Sequence, residues 1–423
     1  GGRSAAGARC RGTTTRGERS RRADWGRGRV AMGPASGGAH RVVPLVAGHL
    51  LDHARESTGV ADPGDLGDGD WEGRLRALVE SVNAADLHVV GRMMTRQELL
   101  RSLRTRFLMG DAWRRDPAIA DEAVEAPIVV TGPARSGTTI LFELLGLDPG
   151  LRTPVATDVL HPVRPPGTAD HEVTAMTEAE QELWADVQPE FSAIHELRSD
   201  LPVECITFTT PSFAGSHWMM LLADPTAGGW APDVQADLAF HRAVLQTVQH
   251  GRPRRRWLLK TPGWVFQLDD LLAAYPDASV ILTHRDPART MPSTVNTTAM
   301  IQWLRTDHVD LDVLAPLLAA LFTDALEAAS RRRAEGDLPG VYGDVRFADL
   351  MADPVAAIEG AYADIGREVT AEHREAVVAY LAAKPRGKHG EHRYSASDWG
   401  FDPDRLRADL ADYLARHQVP LEG

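Results

Sequence analysis

Apolar residues recur every three or four positions in some stretches of the chain and run together in others. From residue 42 to 112 the spaced pattern dominates. "WEGRLRALVESVNAAD" (71–86) and "TRQELLRSLRTRFLMGDAW" (95–113) put Leu, Val and Phe on one face at helical spacing, which predicts amphipathic helices. The pattern then changes. "APIVVTG" (126–132), "RWLLKTP" (256–262) and "DASVILTHRDP" (277–287) hold short unbroken apolar runs ending in turn-formers, the pattern of strands buried on both faces. Helical spacing returns in "TTILFELLGL" (138–147), "TADHEVTAMTEAEQELWAD" (168–186), "DVQADLAFHRAVLQTVQHG" (233–251) and "GWVFQLDDLLAAYP" (263–276). It returns again in "PVAAIEGAYADIG" (354–366) and "TAEHREAVVAYLAAK" (370–384). Strands alternating with helices predict an α/β fold, a mostly parallel sheet flanked by helices, with a helical N-terminal extension. The expected divisions are a leader over 1–31, the extension over 32–122 and the α/β domain over 123–423.

Composition adds limits. Of 423 residues, 43% are apolar and 25% charged, as in soluble globular proteins. The longest apolar run, Val313 to Phe322, is too short to cross a bilayer, so no membrane partner is expected. Two cysteines, Cys10 and Cys205, make no disulfide framework, which predicts a reducing, cytoplasmic setting. Neither lies in a Cys-x-x-Cys pattern, and no metal is expected. The net charge of −13 is uneven: residues 1–31 carry nine arginines against Glu18 and Asp24, leaving −20 for the rest. The basic leader lacks hydrophobic periodicity and is expected to be disordered. An acidic body speaks against a nucleic-acid partner.

Three motifs carry chemistry. The first, "GPARSGTT" (132–139), sits between a strand and a helix. A glycine-rich turn there directs backbone N–H groups and a helix dipole at an anion. Gly132 and Gly137 have the spacing of the ATP-gripping loop, but Thr138 stands at its lysine position and the cation has moved to Arg135. The anion is therefore expected to be held by Arg135, the hydroxyls of Ser136, Thr138 and Thr139, and the amides around Gly137. The second is "THRDPARTMPSTVN", where Arg285 leaves a strand end and Ser293 follows eight residues later. Ligands of α/β sheets bind beyond the carboxyl ends of strands, so this pair is suited to one phosphate. The third is "LLKTPGW", with Lys260 at the end of a buried strand, placed to meet a leaving oxygen.

Together "PARSGTT", "LLKTP" and "VILTHRDPARTMPS" resemble the sulfotransferase superfamily, in particular its bacterial branch. Fainter likenesses are "LPVEC", "RFADLMADP" and "KHGEHRYS", and the resemblance runs from Pro127 to Trp399. It implies a P-loop-like nucleotide fold and the co-substrate 3′-phosphoadenosine 5′-phosphosulfate. The 5′-phosphosulfate would lie on Arg135–Thr139 and the 3′-phosphate on Arg285 and Ser293. Phe347 matches a position near the adenine where relatives often carry Tyr, which leaves it a stacking role. Lys388, His389 and Arg393 match a late basic segment over the nucleotide. Sulfuryl transfer is in-line displacement, so Arg135 and Lys260 would stabilise the charge on the equatorial and leaving oxygens.

A base must take the acceptor's proton. Asp158 falls where relatives often carry Glu, His195 has a suitable ordinary pKa, and Glu204 is a third candidate. Trp264 occupies the region where some relatives place a histidine. The acceptor, a hydroxyl or amine of a small or carbohydrate-like molecule, is expected between 155 and 240 and after Ser293. Trp218, Met219, Met220, Met300 and Trp303 suit such a pocket or an ordinary core. A homo-oligomer is compatible with the sequence. Two other readings remain: a small-molecule or nucleotide kinase using ATP, and a non-catalytic anion-binding protein.

Overall fold

The computed structural model describes residues 38–165, 167–189, 198–222, 228–383 and 396–422. The Arg-rich leader, His195, Lys388, His389 and Arg393 lie outside the described residues.

After a single helical turn (Ala39–Val42) come three longer helices: α1 (Ala47–Thr58), α2 (Trp71–Ala84) and the long α3 (Val89–Arg115). Each begins where the sequence supplies or tolerates a stop. The Asp70 carboxylate caps α2 by accepting from the Gly73 amide, and His88 Nδ1 caps α3 by accepting from Gly91. Their apolar faces form one core: Leu75, Leu78 and Val82 of α2 meet Leu99, Leu103 and Phe107 of α3. Phe213, Trp218, Trp230 and Met300 from later in the chain complete it. Trp218 and Met300, candidates for an acceptor pocket, are therefore core residues, 0% and 1% exposed. Within this region Arg106 is sealed from solvent. Its guanidinium forks onto both oxygens of Asp68 and donates to the Pro211 carbonyl at 3.0 Å.

The sheet follows. β1 (Ile128–Thr131) leads into α4 (Thr138–Leu145), and a two-residue β2 (Leu151–Arg152) into α5 (Ala156–Leu160). Next come α6 (Asp170–Val187), α7 (Ser216–Leu221) and α8 (Val234–Gln249). β3 (Arg256–Lys260), α9 (Leu268–Ala274) and β4 (Ser279–His284) are followed by α10 (Pro287–Trp303) and α11 (Leu311–Glu335). β5 (Val341–Arg346) precedes α12 (Phe347–Ala352), α13 (Pro354–Asp364), α14 (Ala371–Ala383), α15 (Pro403–Asp409) and α16 (Ala411–Arg416). The strand order is β2-β3-β1-β4-β5, parallel throughout.

Alternation along the central strands explains the two layers of helices. Ile128, Val130, Leu258 and Ile281 face one way, onto α4, α13 and α14. Val129, Leu259, Val280 and Leu282 face the other, onto α8, α9 and α11. With both faces covered, unbroken apolar strands are required. β5 is the edge strand and alternates buried Gly343 and Val345 with more exposed neighbours. The apolar run Val313–Phe322 is part of α11, whose 25 residues are, by length and composition, enough to cross a membrane. One third of its most apolar window is buried here. Phe322, Leu326 and Ala329 join the core, while Val313, Leu317 and Leu321 form an exposed stripe.

Candidate active site

All three motifs emerge at the carboxyl ends of adjacent strands β3, β1 and β4. β1 ends at Gly132, where backbone geometry decides the residue. Its φ is +137°, and a β-carbon there would lie 2.4 Å from Thr283 Oγ1 and 2.7 Å from the Thr283 carbonyl. Arg135, at φ +65°, adopts a left-handed conformation that L-residues rarely hold outside functional turns. Gly137, at φ +93°, then opens α4. The turn leaves Arg135 and Thr139 exposed around the α4 N-terminus, the kind of terminus that favours anions.

The loop's side chains divide into two sets. Ser136 is fully buried: its hydroxyl donates to the Pro133 carbonyl at 2.5 Å and lies 2.6 Å from Thr283 Oγ1. It braces the turn against β4 instead of presenting its hydroxyl outward. Thr138 is also buried, whereas Arg135 and Thr139 are exposed. Thr139 Oγ1 accepts a hydrogen bond from Lys260 Nζ at 3.0 Å.

Lys260 is 3% exposed, and its ammonium lies 2.7 Å from Glu204 Oε1. The ammonium also sits 5.8 Å from the centre of the Phe142 ring. Of the base candidates, Glu204 is thus brought to the strand end. Asp158 forms a two-pronged pair with Arg252, and its polar contacts run there. The sequence ranking of Asp158 over Glu204 is not what the geometry favours. Trp264 is buried in the core below.

Arg285 occupies the third corner. Its Nη1 donates to the Arg135 carbonyl at 2.8 Å, tying β4 to the phosphate-type loop. Its guanidinium carbon stands 3.7 Å from the centre of the Phe347 ring, a cation–π stack. That stack takes one face of the ring, and the ring also packs near Gly137. The other edge of the guanidinium forks onto Glu422, with Nε–Oε1 2.6 Å and Nη2–Oε2 2.7 Å. Nothing in the sequence pointed to Glu422, 137 residues away. Its backbone is pinned as well: its amide donates to Asp286 and its carbonyl accepts from Arg407, each at 2.7 Å. Burial alone would raise the Asp286 pKa. Hydrogen bonds from Arg407, Glu422 and Ala288 outweigh that and hold it below the usual carboxylate range. Ser293 is buried two helical turns into α10, on the face that also carries Arg289.

Behind Arg285 lies a closed polar network. His284 accepts or donates to Tyr413 at 2.7 Å and Asp344 at 2.8 Å, and stacks on His417 at 4.1 Å. Ligand atoms of His284, Asp344 and His417 lie within 4.8 Å of one another. The Arg333 guanidinium already grips both Asp344 oxygens, so the cluster reads as a support that fixes the end of β4.

This arrangement offers a helix N-terminus after a glycine-rich turn, a buried lysine beside a partly exposed carboxylate, and an arginine already holding a carboxylate. A family profile described as the sulfotransferase family matches residues 127–371, more than half of the chain. The chain belongs to the sulfotransferase family. It is a sulfotransferase in the bacterial branch of that family, and its fold agrees. The sulfotransferase STF9 of Mycobacterium avium superposes with TM-score 0.73 at 23% identity, covering 89% of this chain and 98% of that one. The sulfotransferase STF1 of Mycobacterium tuberculosis superposes with TM-score 0.67 at 26% identity, covering 88% and 99%. No curated protein matches the sequence.

Proposed function

We propose that this sulfotransferase takes its sulfuryl group from 3′-phosphoadenosine 5′-phosphosulfate and passes it to a hydroxyl or amine of a small-molecule or carbohydrate-like acceptor. The observation that carries the reading is the seat of Arg285. A planar guanidinium, stacked on Phe347 and tied to the loop carbonyl, presents a fork to a carboxylate of this same chain. A phosphate oxygen pair fits the same fork by charge-assisted hydrogen bonds, so Glu422 stands where the 3′-phosphate would sit.

The chemistry assigned to each residue follows from this placement. Arg135, the amides at the start of α4 and the Thr139 hydroxyl receive the 5′-phosphosulfate. Glu204 takes the acceptor proton while the acceptor oxygen bonds to sulfur. The bond from sulfur to the 5′-phosphate oxygen breaks, and Lys260 stabilises the charge left on that oxygen. The 2.7 Å pair of Lys260 and Glu204 restrains the base until the donor engages the lysine. Phe347 packs beside the adenine only with the face Arg285 leaves free.

A nucleotide comparison tests the reading. 3′-Phosphoadenosine 5′-phosphate should raise the melting temperature, because a ligand of the native state stabilises it, and ATP with Mg²⁺ should raise it less. A larger shift from ATP with Mg²⁺ would favour a kinase. Glu204→Gln should slow sulfuryl transfer by about 10²–10⁴-fold, the usual worth of a general base, without weakening bisphosphate binding. An unaltered rate would return the base role to another residue and leave a non-catalytic part for Glu204.

A further inference from the structure

Thr283 lies near the end of β4, one residue beyond the Thr131–Leu282 pair of the β1–β4 ladder, and is fully buried. Its hydroxyl faces the back of the glycine-rich turn. Oγ1 is 2.6 Å from Ser136 Oγ and 3.3 Å from the Thr131 carbonyl. Ser136 Oγ is in turn 2.5 Å from the Pro133 carbonyl. A carbonyl only accepts and each hydroxyl has one proton, so the direction of the chain is fixed. Ser136 donates to Pro133, and Thr283 donates to Ser136, with the longer contact to Thr131 the weaker competitor. The Ser136 amide also donates to the Pro133 carbonyl, at 3.2 Å. Residues 133–136 are thereby closed into a bracket anchored on β4, with Arg135 inside it at φ +65°. A non-glycine residue persists in that region only where its surroundings over-determine it.

We infer that Thr283 is a positioning residue for the sulfuryl donor: through Ser136 it sets the turn on which Arg135 and the first amides of α4 meet the 5′-phosphosulfate. The inference rests on the donor reading above. Sealed behind the turn, Thr283 acts only through Ser136. Valine has the same shape but no proton to give, so it strands a buried lone pair of Ser136. A methyl carbon in the place of Oγ1 would also stand 2.6 Å from Ser136 Oγ, where carbon and oxygen need about 3.3 Å. The bracket must then give by roughly 0.7 Å, a displacement that matters to groups aligned on a ligand. Arg285 leaves β4 only two residues later but is held independently, by Phe347 and Glu422. The loss should therefore fall on the 5′ end of the nucleotide and spare the 3′ end. Serine at 283 keeps the proton.

Titration calorimetry with adenosine 3′,5′-bisphosphate and with adenosine 3′-phosphate, which lacks the 5′ group, tests it. Thr283→Val should bind the bisphosphate at least tenfold more weakly than wild type and adenosine 3′-phosphate within threefold of wild type. Thr283→Ser should return bisphosphate affinity to within threefold of wild type. A space-filling role would show no such rescue, because serine fills less than valine. Ser136→Ala cuts the same chain at its other member and should cost the bisphosphate a similar factor. Added to Thr283→Val it should cost less than threefold more, and it carries the test if Thr283→Val fails to fold. Hydrogen exchange of amides 134–139 in the ligand-free proteins reads the turn without any nucleotide. It should be faster in Thr283→Val and Ser136→Ala than in wild type, and close to wild type in Thr283→Ser. Unchanged bisphosphate affinity in Thr283→Val, an equal loss of both nucleotides, or no rescue by serine would overturn the inference. Failure of the donor reading would show earlier, in wild type: binding of neither nucleotide would overturn that reading and this inference with it.

Discussion

Arginine forks hold carboxylates in two distant regions, and the two cases differ in what surrounds them. Arg106 and Asp68, in the helical extension, are both sealed, with side chains 0% exposed. Arg285 and Glu422, at the strand ends, are 17% and 31% exposed. The chemistry of the pairs is the same; access to water is not. A sealed pair cannot exchange its partner without burying a lone charge, so it serves the fold. A partly open pair can trade one anion for another at modest cost, which on the proposed reading suits it to binding. The lesson is that bidentate geometry alone does not mark a ligand site. Burial of the partner decides between the two roles.

The largest expected difference comes from breaking each pair. Asp68→Ala strands the Arg106 guanidinium and should lower unfolding stability by about 3–5 kcal/mol in urea titration. Glu422→Ala should change it by about 1 kcal/mol or less, the range of exposed pairs. Equal losses would erase the distinction.

Acid comes next. Burial would raise the Glu98 pKa, but Arg305 and His217 outweigh burial and hold it at about 2. A depressed carboxylate contributes stability that is complete above its ordinary value near 4.5 and lost as pH falls toward 2. The loss is on the order of 3 kcal/mol. Burial also depresses the His217 pKa, which adds a loss below its ordinary 6.5 as an imidazole buried neutral is forced to charge. Melting temperature followed from pH 7 to 2.5 should fall in wild type. Glu98→Gln should start lower and fall less between pH 4.5 and 2.5. A parallel fall in both proteins would remove Glu98 from the account.

Glu422→Gln gives the smallest effect. Without a carboxylate to displace, 3′-phosphoadenosine 5′-phosphate should bind about five- to tenfold tighter, which is about 1 kcal/mol. Unchanged or weaker binding would mean that Glu422 does not compete for Arg285.

What the sequence made legible follows the same line between local and distant causes. β1, β3 and β4 were readable because strands covered on both faces are apolar throughout. β5 was not, because an edge strand keeps Asp344 and Arg346 among its apolar residues, and β2 is only two residues long. Gly132 and Gly137 were readable because both hold positive φ, and Thr283 beside Gly132 and Leu350 and Phe347 beside Gly137 crowd any side chain. Ser136 was read by type as a ligand donor, and only the approach of Thr283 turns its hydroxyl inward. Glu204 and Asp158 were indistinguishable by type. Their roles are set by partners 56 and 94 residues away, Lys260 and Arg252.

The central claim is that the Arg285 fork reads the 3′-phosphate of the donor. Its most direct test is a cycle of four affinities: adenosine 3′,5′-bisphosphate and adenosine 5′-phosphate, each titrated against wild type and Arg285→Ala. The account predicts that losing the 3′-phosphate costs wild type about 2–5 kcal/mol and costs the variant almost nothing, because the partner is already gone. The same cost in both proteins would contradict it.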